Sequence, residues 1–457
     1  MFDKFIDEKQ DEIISAVSEL VKIPSVTTIT DNPTTPFGEH CTNALNYILE
    51  LGNSMGFRTK NIDNYCGYIE FGEGEELVGI IGHLDVVPAL ETDGWTTPPF
   101  SPTIRDGKLF GRGTIDDKGP VVSALYAMKA IKDTCQISKR VRLIIGLNEE
   151  RGWKCIDYYK EHEEWPSIGF SPDANFPAIF AEKGILSLEL KNQFEFKDFE
   201  IISISTNNNA INVVPKYAAI QLKPKDNSSI DLDILSNTFV ENIKTTILDN
   251  NSIQIESFGI ASHAARPHLG TNAIKILVEF LLNNFEFNSD YLKQIYDIGL
   301  FDIHSPKFIS ETTLEDESGI LTSNVAVMDY IDNKLVFQIN LRVPVTISLD
   351  EIQNKYTSIS NEIEVTRLSV QEPLYVEKDS FLVTTLLNVF KNKTGLDVKP
   401  IAIGGGTYAR AFKNFISYGA NMPGNPDLCH QVDEYIKLDD LNLATKIYAN
   451  AIYELSK

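Results

Sequence analysis

The sequence predicts an α/β fold in which a mixed, mainly parallel sheet flanked by helices is interrupted by an inserted α+β region. Three observations predict it. Residues 76–83 (ELVGIIGH) and 140–147 (RVRLIIGL) are near-continuous apolar runs of strand length, and residues 121–131 (VVSALYAMKAI) between them read as a helix. Apolar strands separated by a helix are the pattern of a parallel sheet covered on its faces. Between about 185 and 375 the strand signals alternate more clearly, in ILSLEL from Ile185, AAIQL from Ala218 and LVFQINL from Leu335, with a helix over 272–285 among them. From residue 379 the first pattern returns, with a helix over 381–390 and an apolar strand running into three glycines at 404–406. The expected boundaries are 1–182, 183–378 and 379–457, the first and last pieces forming one domain. A length of 457 residues agrees with about two to four structural units.

Taken in order, the elements justify themselves locally. Phe5, Ile6, Ile13, Ile14, Val17, Leu20 and Val21 recur at helical spacing and give an amphipathic, acidic start. That segment lacks the basic head, apolar core and small-residue cleavage site of a signal peptide. No run of 18 apolar residues occurs, so no membrane-spanning helix is expected and the cytoplasm is the natural compartment. The helix at 121–131 follows Gly119-Pro120, as proline in a first helical turn would. The five cysteines, Cys41, Cys66, Cys135, Cys155 and Cys429, are scattered and form no CxxC pair. They support neither a thiolate metal site nor a disulfide framework, and fit a reducing compartment. The 64 acidic residues outnumber 41 basic ones for a net charge of −23. Such a surface repels nucleic-acid phosphates and anionic lipid, so neither nucleic acid nor membrane is an expected partner. A small anionic substrate stays open, because a site can be locally positive inside a negative protein.

Six short segments carry residues suited to chemistry. At the end of the 76–83 strand stands Gly-His83-Leu-Asp85, where residues two apart share a face and Asp85 can accept a hydrogen bond from the imidazole. Residues 109–120 (LFGRGTIDDKGP) set Asp116 and Asp117 among glycines, a costly pair of carboxylates unless a cation offsets them. Glu149 and Glu150 follow the 140–147 strand directly, and neighbours in extended chain face opposite ways. Asp173 sits between prolines in SPDANFP, and His430 follows Cys429 near the C-terminus. Residues 404–410 (GGGTYAR) form a glycine-rich turn whose N–H groups could hold a carboxylate or oxyanion. Neither the 111–116 nor the 404–409 stretch is a dinucleotide fingerprint: Asp116 stands where glycine or alanine is required, and PGNP follows the second. Each segment alone reads equally as a polar turn, and His40, His162, His268 and His304 as ordinary surface residues.

The order His83, Asp116, Glu149-Glu150, Asp173, His430 resembles the M20 family of metallopeptidases. The GWTTPPF segment at 94–100, followed by GRGTIDDKGP and GGGTYAR, is most similar to the PepV-type bacterial dipeptidases within it. The resemblance implies a dizinc hydrolase cleaving the peptide bond of dipeptides with a free N-terminus, β-alanyl dipeptides among them, by a metal-activated water. The alternative is an N-acyl or N-succinyl amino acid amidohydrolase of the same family. It implies two Zn2+ per subunit, replaceable by Mn2+ or Co2+, one held by His83, Asp116 and Asp173 and the other by Asp116, Glu150 and His430. Glu149 would be the general base, Asp85 the group orienting His83, and the peptide after Asp116 would be cis.

The resemblance also makes residues 183–378 a lid. His263 of the GIASHAARP segment would stabilise the oxyanion, and Asn212, Arg342, Gly405, Gly406 and Thr407 would contact substrate. A lid of about 190 residues would stand in for a partner subunit and leave a monomer. The segment His430-Gln-Val-Asp-Glu434 departs from the family's His-Gln-Pro-Asn-Glu pattern. It retains the histidine while leaving the loop's shape open.

Overall fold

The computed structural model describes residues 2–225, 241–248 and 251–457. The chain divides into two compact units, one of Met1–Ala181, Leu374–Ile401 and Thr407–Lys457, the other of Glu182–Pro373 with Ala402–Gly406.

The first unit is built on a mixed sheet. Its strands run in the order Arg58–Ile62, Cys66–Phe71, Arg140–Gly146, Leu77–His83, Ile168–Ser171, Phe415–Ser417, Ile179–Glu182 and Leu374–Tyr375. The centre is parallel: Arg140–Gly146 with Leu77–His83, Leu77–His83 with Ile168–Ser171, and Ile168–Ser171 with Phe415–Ser417. The flank toward Arg58–Ile62 is antiparallel. Leu77–His83 is buried at every position, as its unbroken apolar run requires. Helix Lys118–Thr134 begins three residues before the 121–131 stretch, taking Gly119 and Pro120 into its first turn. It lies close to the central strand at Gly82, where an added Cβ would stand 2.6 Å from Val121 Cγ2. Helix Leu438–Ser456 packs along Lys118–Thr134.

The amphipathic start forms two helices, Asp3–Glu8 and Gln10–Val21, with Lys9 (φ −103°, ψ 6°) between them. Ile6, Ile13, Val17, Leu20 and Val21 are buried, while Phe5 and Ile14 are half-buried. The buried Lys118 ammonium donates to the Leu20 and Ile23 carbonyls at 2.9 and 2.7 Å, closing the second helix's C-terminal end.

The second unit carries two four-stranded antiparallel sheets. One runs Thr322–Ile331, Lys334–Val343, Gly184–Gln193, Glu364–Gln371, and the other Phe199–Ser205, Tyr217–Pro224, Ile253–Phe258, Ile243–Ile247. The three alternating runs read from sequence lie inside Gly184–Gln193, Tyr217–Pro224 and Lys334–Val343. Their inward residues, among them Leu188, Leu190, Ile220 and Phe337, share one core with Ile274 and Leu277 of helix Ala273–Asn284. Asn272 caps that helix by accepting the Ile274 and Lys275 N–H groups. Among the described residues no helix is long and apolar enough to cross a membrane, and all five cysteines are free thiols.

Candidate metal centre

The carboxyl ends of three adjacent parallel strands supply the core of the site. His83 ends Leu77–His83, Glu149 and Glu150 follow Arg140–Gly146, and Asp173 follows Ile168–Ser171. Loops at this edge of a parallel sheet converge because every strand delivers the chain in the same direction. Asp116 and His430 arrive by another route. Strands Lys108–Phe110 and Tyr435–Lys437 pair antiparallel, which sets the 111–116 loop beside the 428–434 loop.

These residues form two overlapping triads, His83–Asp116–Asp173 and Asp116–Glu150–His430, with the donor atoms of each within 4.8 Å of one another. His83 Nε2 lies 3.1 Å from Asp116 Oδ1 and 3.6 Å from Asp173 Oδ2. His430 Nε2 lies 3.1 Å from Asp116 Oδ2 and 3.0 Å from Glu150 Oε1. Asp116 therefore turns one oxygen to each triad. The Asp116–Asp117 peptide is cis. The Asp117 carboxylate points elsewhere and accepts the His83 N–H at 3.1 Å.

The electrostatics are those of a site built around positive charge. Burial and the neighbouring Asp116 push the Asp173 carboxyl up to about 7. Burial likewise raises Glu149 and Glu150, with nearby carboxylates adding to it. Burial works against protonated His430, yet its hydrogen bonds to Asp116 and Glu150 push it up to about 11. Burial would also raise Asp116, but the two imidazoles hold it well below the usual carboxylate range. Among the described residues, buried His83 Nε2 meets no partner in hydrogen-bond geometry, although Asp116 Oδ1 and Asp173 Oδ2 stand 3.1 and 3.6 Å away. A lone pair so placed, among oxygen donors that burial disfavours as anions, fits a divalent cation.

Asp85 does more than sequence spacing suggests. The nearest acceptor to His83 Nδ1 is the Asp85 backbone carbonyl at 2.9 Å, with the carboxylate Oδ1 at 3.5 Å. The Asp85 carboxylate instead accepts the Glu149 N–H (3.0 Å), the Glu150 N–H (3.1 Å) and the Thr27 hydroxyl (3.0 Å). It thus ties the glutamate turn to the histidine strand. Glu149 and Glu150 diverge because they occupy a turn, since the strand itself ends at Gly146.

Glu434 clamps the Asp116 loop. Its fully buried carboxylate accepts the N–H groups of Gly113 and Ile115 at 3.0 Å and of Asp116 at 3.3 Å, and pairs with Arg112 Nη1 at 2.6 Å. Thr96 of the 94–100 segment donates its N–H and hydroxyl to Asp433 Oδ1 at 2.8 and 2.9 Å. His430 and Asp433 adopt left-handed φ values of 65° and 57°, so the loop holds its turns without the proline of the family pattern.

Asn212, His263, Arg342 and residues 404–406 belong to the second unit. There the Ala264 N–H donates to the Asn212 carbonyl at 2.8 Å, and Val213 bridges His263, so the two exposed side chains sit on neighbouring segments. Arg342 is buried, donating Nη1–H to the Gly404 carbonyl (2.7 Å) and Nε–H to Asn340 (2.8 Å). A Cβ on Gly404 would meet Ala265 Cβ at 2.8 Å, so this turn needs a glycine at close approach. Gly405 and Gly406 continue the same turn. Thr407 belongs to the first unit, where its hydroxyl accepts the Ala409 N–H and pairs with Ser417 at 2.7 Å. It caps a single turn of four residues, Tyr408–Ala411.

Sequence reasoning passed over Thr27, Trp153 and Tyr408. The Trp153 indole N–H donates to Glu149 Oε1 at 3.3 Å. The Tyr408 ring lies edge-on to both Trp153 (5.3 Å) and His83 (6.1 Å). Packing rather than sequence pairs Tyr408 with the sheet: a Cβ on Gly146 would meet the tyrosine ring at 2.5 Å.

Comparison with known proteins agrees with this geometry. The family model described as Peptidase family M20/M25/M40 matches residues 79–454. "Putative dipeptidase YtjP" of Bacillus subtilis (strain 168) is 39% identical over 466 residues, spanning 98% of each chain. In fold, the chain resembles the M20 family metallo-carboxypeptidase Sso-CP2 from Sulfolobus solfataricus, with a TM-score of 0.60, 18% identity and coverage of 97% and 99%. It also resembles human carnosine dipeptidase 1, with a TM-score of 0.59, 15% identity and coverage of 99% and 98%.

Proposed function

Because the chain belongs to peptidase family M20/M25/M40, we propose that it is a two-metal dipeptidase. In this reading His83, Asp116 and Asp173 hold one ion, and Asp116, Glu150 and His430 hold the other. The observation that carries the proposal is the pair of triads sharing Asp116. Imidazole nitrogen and carboxylate oxygen without thiolate suit zinc, with manganese or cobalt able to replace it. When bound, the ions supply Lewis acidity toward the scissile carbonyl and lower the pKa of water. Two dications bring about +4 and the three ligand carboxylates about −3, so ionised Glu149 leaves the centre near neutral and open to a peptide carboxylate.

The protein's own groups then divide the work. Glu149 accepts a proton from the attacking water and delivers it to the leaving amine. Asp85 fixes the backbone of Glu149 and Glu150, so base and ligand keep a set spacing. Glu434 does the same for Asp116. The dipeptidase name of the Bacillus subtilis relative supports dipeptides as substrates, and the resemblance extends the proposal to a free N-terminus and to β-alanyl dipeptides. The cytoplasm fits the scattered, unpaired cysteines, and a monomer belongs to the same reading, in which the long lid stands in for a partner subunit.

Glu149→Ala should keep its metal and lose dipeptide hydrolysis by at least about 100-fold. Wild-type turnover in that variant with metal bound would refute the base assignment. A panel of dipeptides against N-acyl and N-succinyl amino acids tests the substrate, and clear preference for the latter would replace the dipeptidase reading with amidohydrolysis. The resemblance assigns Asn212, His263, Arg342, Gly405, Gly406 and Thr407 to substrate. For Asn212 and Arg342 the check is a raised KM at unchanged metal content, and for His263 a lowered kcat.

A further inference from the structure

Resting on the reading of Glu149 as the base, we infer that Trp153 is the positioning residue that orients its carboxylate. It holds Oε1, so that Oε2 is the oxygen that takes and returns the proton. Glu149 is fixed at both ends. Its N–H is bound by Asp85 Oδ1 at 3.0 Å, and its Oε1 accepts the Trp153 indole N–H at 3.3 Å. The indole is a donor with no acceptor, so it can steady a carboxylate oxygen but cannot take up a proton.

The chain around Trp153 is arranged to aim it. Trp153 adopts a left-handed φ of 62°, a conformation that bulky side chains avoid and that concentrates where a site holds it in place. The Trp153 N–H closes the turn on the Asn148 carbonyl at 2.8 Å, and the Asn148 side chain accepts the Lys154 N–H at 3.2 Å. The indole face is braced edge-on by Tyr408, itself buried and bound through its hydroxyl to Cys155 at 2.9 Å. A residue kept only for packing would need neither the left-handed backbone nor an N–H aimed at the base. The step this serves is balanced. A water O–H proton passes to Oε2 as the water oxygen bonds to the carbonyl carbon, and Oε2 returns that proton to the amine nitrogen as the C–N bond breaks.

The test compares metal-loaded wild type, Glu149→Ala, Trp153→Phe and a chain with 3-benzothienylalanine at 153, which replaces the indole N–H by sulfur at nearly constant shape. The expected result for both position-153 variants is a kcat lowered about 10-fold or more, with KM, metal content and thermal midpoint close to wild type. The benzothienyl chain covers the case in which phenylalanine packs too poorly to fold. Wild-type kcat in the benzothienyl chain, or a fall in kcat explained by lost metal or lost stability, overturns the inference while an inactive Glu149→Ala leaves the base assignment standing. An active Glu149→Ala overturns both.

Discussion

Glu434→Ala is the most exacting test of how the shared aspartate is held. The substitution removes the carboxylate that pairs with buried Arg112 at 2.6 Å and accepts three backbone N–H groups of the 113–116 loop. Burial raises the Glu434 carboxyl pKa against the pull of Arg112, so the pair is itself costly to enclose. Breaking it is costlier, because Arg112 is left charged and uncompensated, at about 3–5 kcal/mol. Each deserted N–H adds about 1–3 kcal/mol before water entering the cavity recovers part. A net loss of about 5 kcal/mol, at about 1–2 °C per kcal/mol for a chain of 457 residues, predicts a thermal midpoint lower by about 5–10 °C. Circular dichroism at fixed metal concentration reads the midpoint, and metal analysis on the same sample reads the site. Glu434→Gln, which keeps an acceptor for the loop but loses the charge, should fall between. A midpoint within about 2 °C of wild type in Glu434→Ala, at full metal content, would refute the clamp.

Two further outcomes follow from the same geometry. In the metal-free chain, Asp173, Glu149 and Glu150 have raised folded pKa values, so the folded state binds extra protons above about pH 4 and loses that advantage as pH rises, for Asp173 through about 7. His430, raised to about 11, contributes stability that is fully present below its unfolded value of about 6.5 and fades above it. Both trends weaken the metal-free chain toward alkaline pH. The gain in thermal midpoint on adding Zn2+ to chelator-stripped protein should therefore be several degrees larger at pH 8 than at pH 6, and an equal or smaller gain at pH 8 would contradict it. Gly146→Ala places a methyl 2.5 Å from the Tyr408 ring. It should cost about 1–3 kcal/mol by overpacking and lower kcat through the displaced Trp153, measured by denaturant unfolding and dipeptide turnover.

Much of this architecture was legible because its signals are local. The 76–83 and 140–147 runs are near-continuously apolar since both faces of those strands are covered, and the structure buries Leu77–His83 throughout and the second strand at every position after Arg140. The alternation at 185–190 reflects one covered face, and those residues do pair in an antiparallel sheet. The extent of parallel pairing was less legible, since a strand's partner direction depends on where distant segments return. Phe415–Ser417 joins the centre from more than 200 residues away. Thr407 and Arg342 illustrate the same limit within the polar residues. Composition marks both as donors, but the Ser417 hydroxyl and the Gly404 carbonyl that engage them are set by packing.

The sequence by itself determined the donor chemistry. Two histidines and four carboxylates in framed loops, in a strongly acidic chain without paired cysteines, offer only nitrogen and oxygen donors, because those side chains can offer nothing else. Only the tertiary structure decided how they meet. The parallel register brings three strand ends together, and the pairing of Lys108–Phe110 with Tyr435–Lys437 sets Asp116 between two histidines from opposite ends of the chain. It also turned Asp85 from a partner of one imidazole into the tie for two glutamates, and aimed Trp153 at Glu149. A side chain's chemistry is fixed at its own position, but its neighbours are fixed by the close packing of segments that the sequence keeps apart.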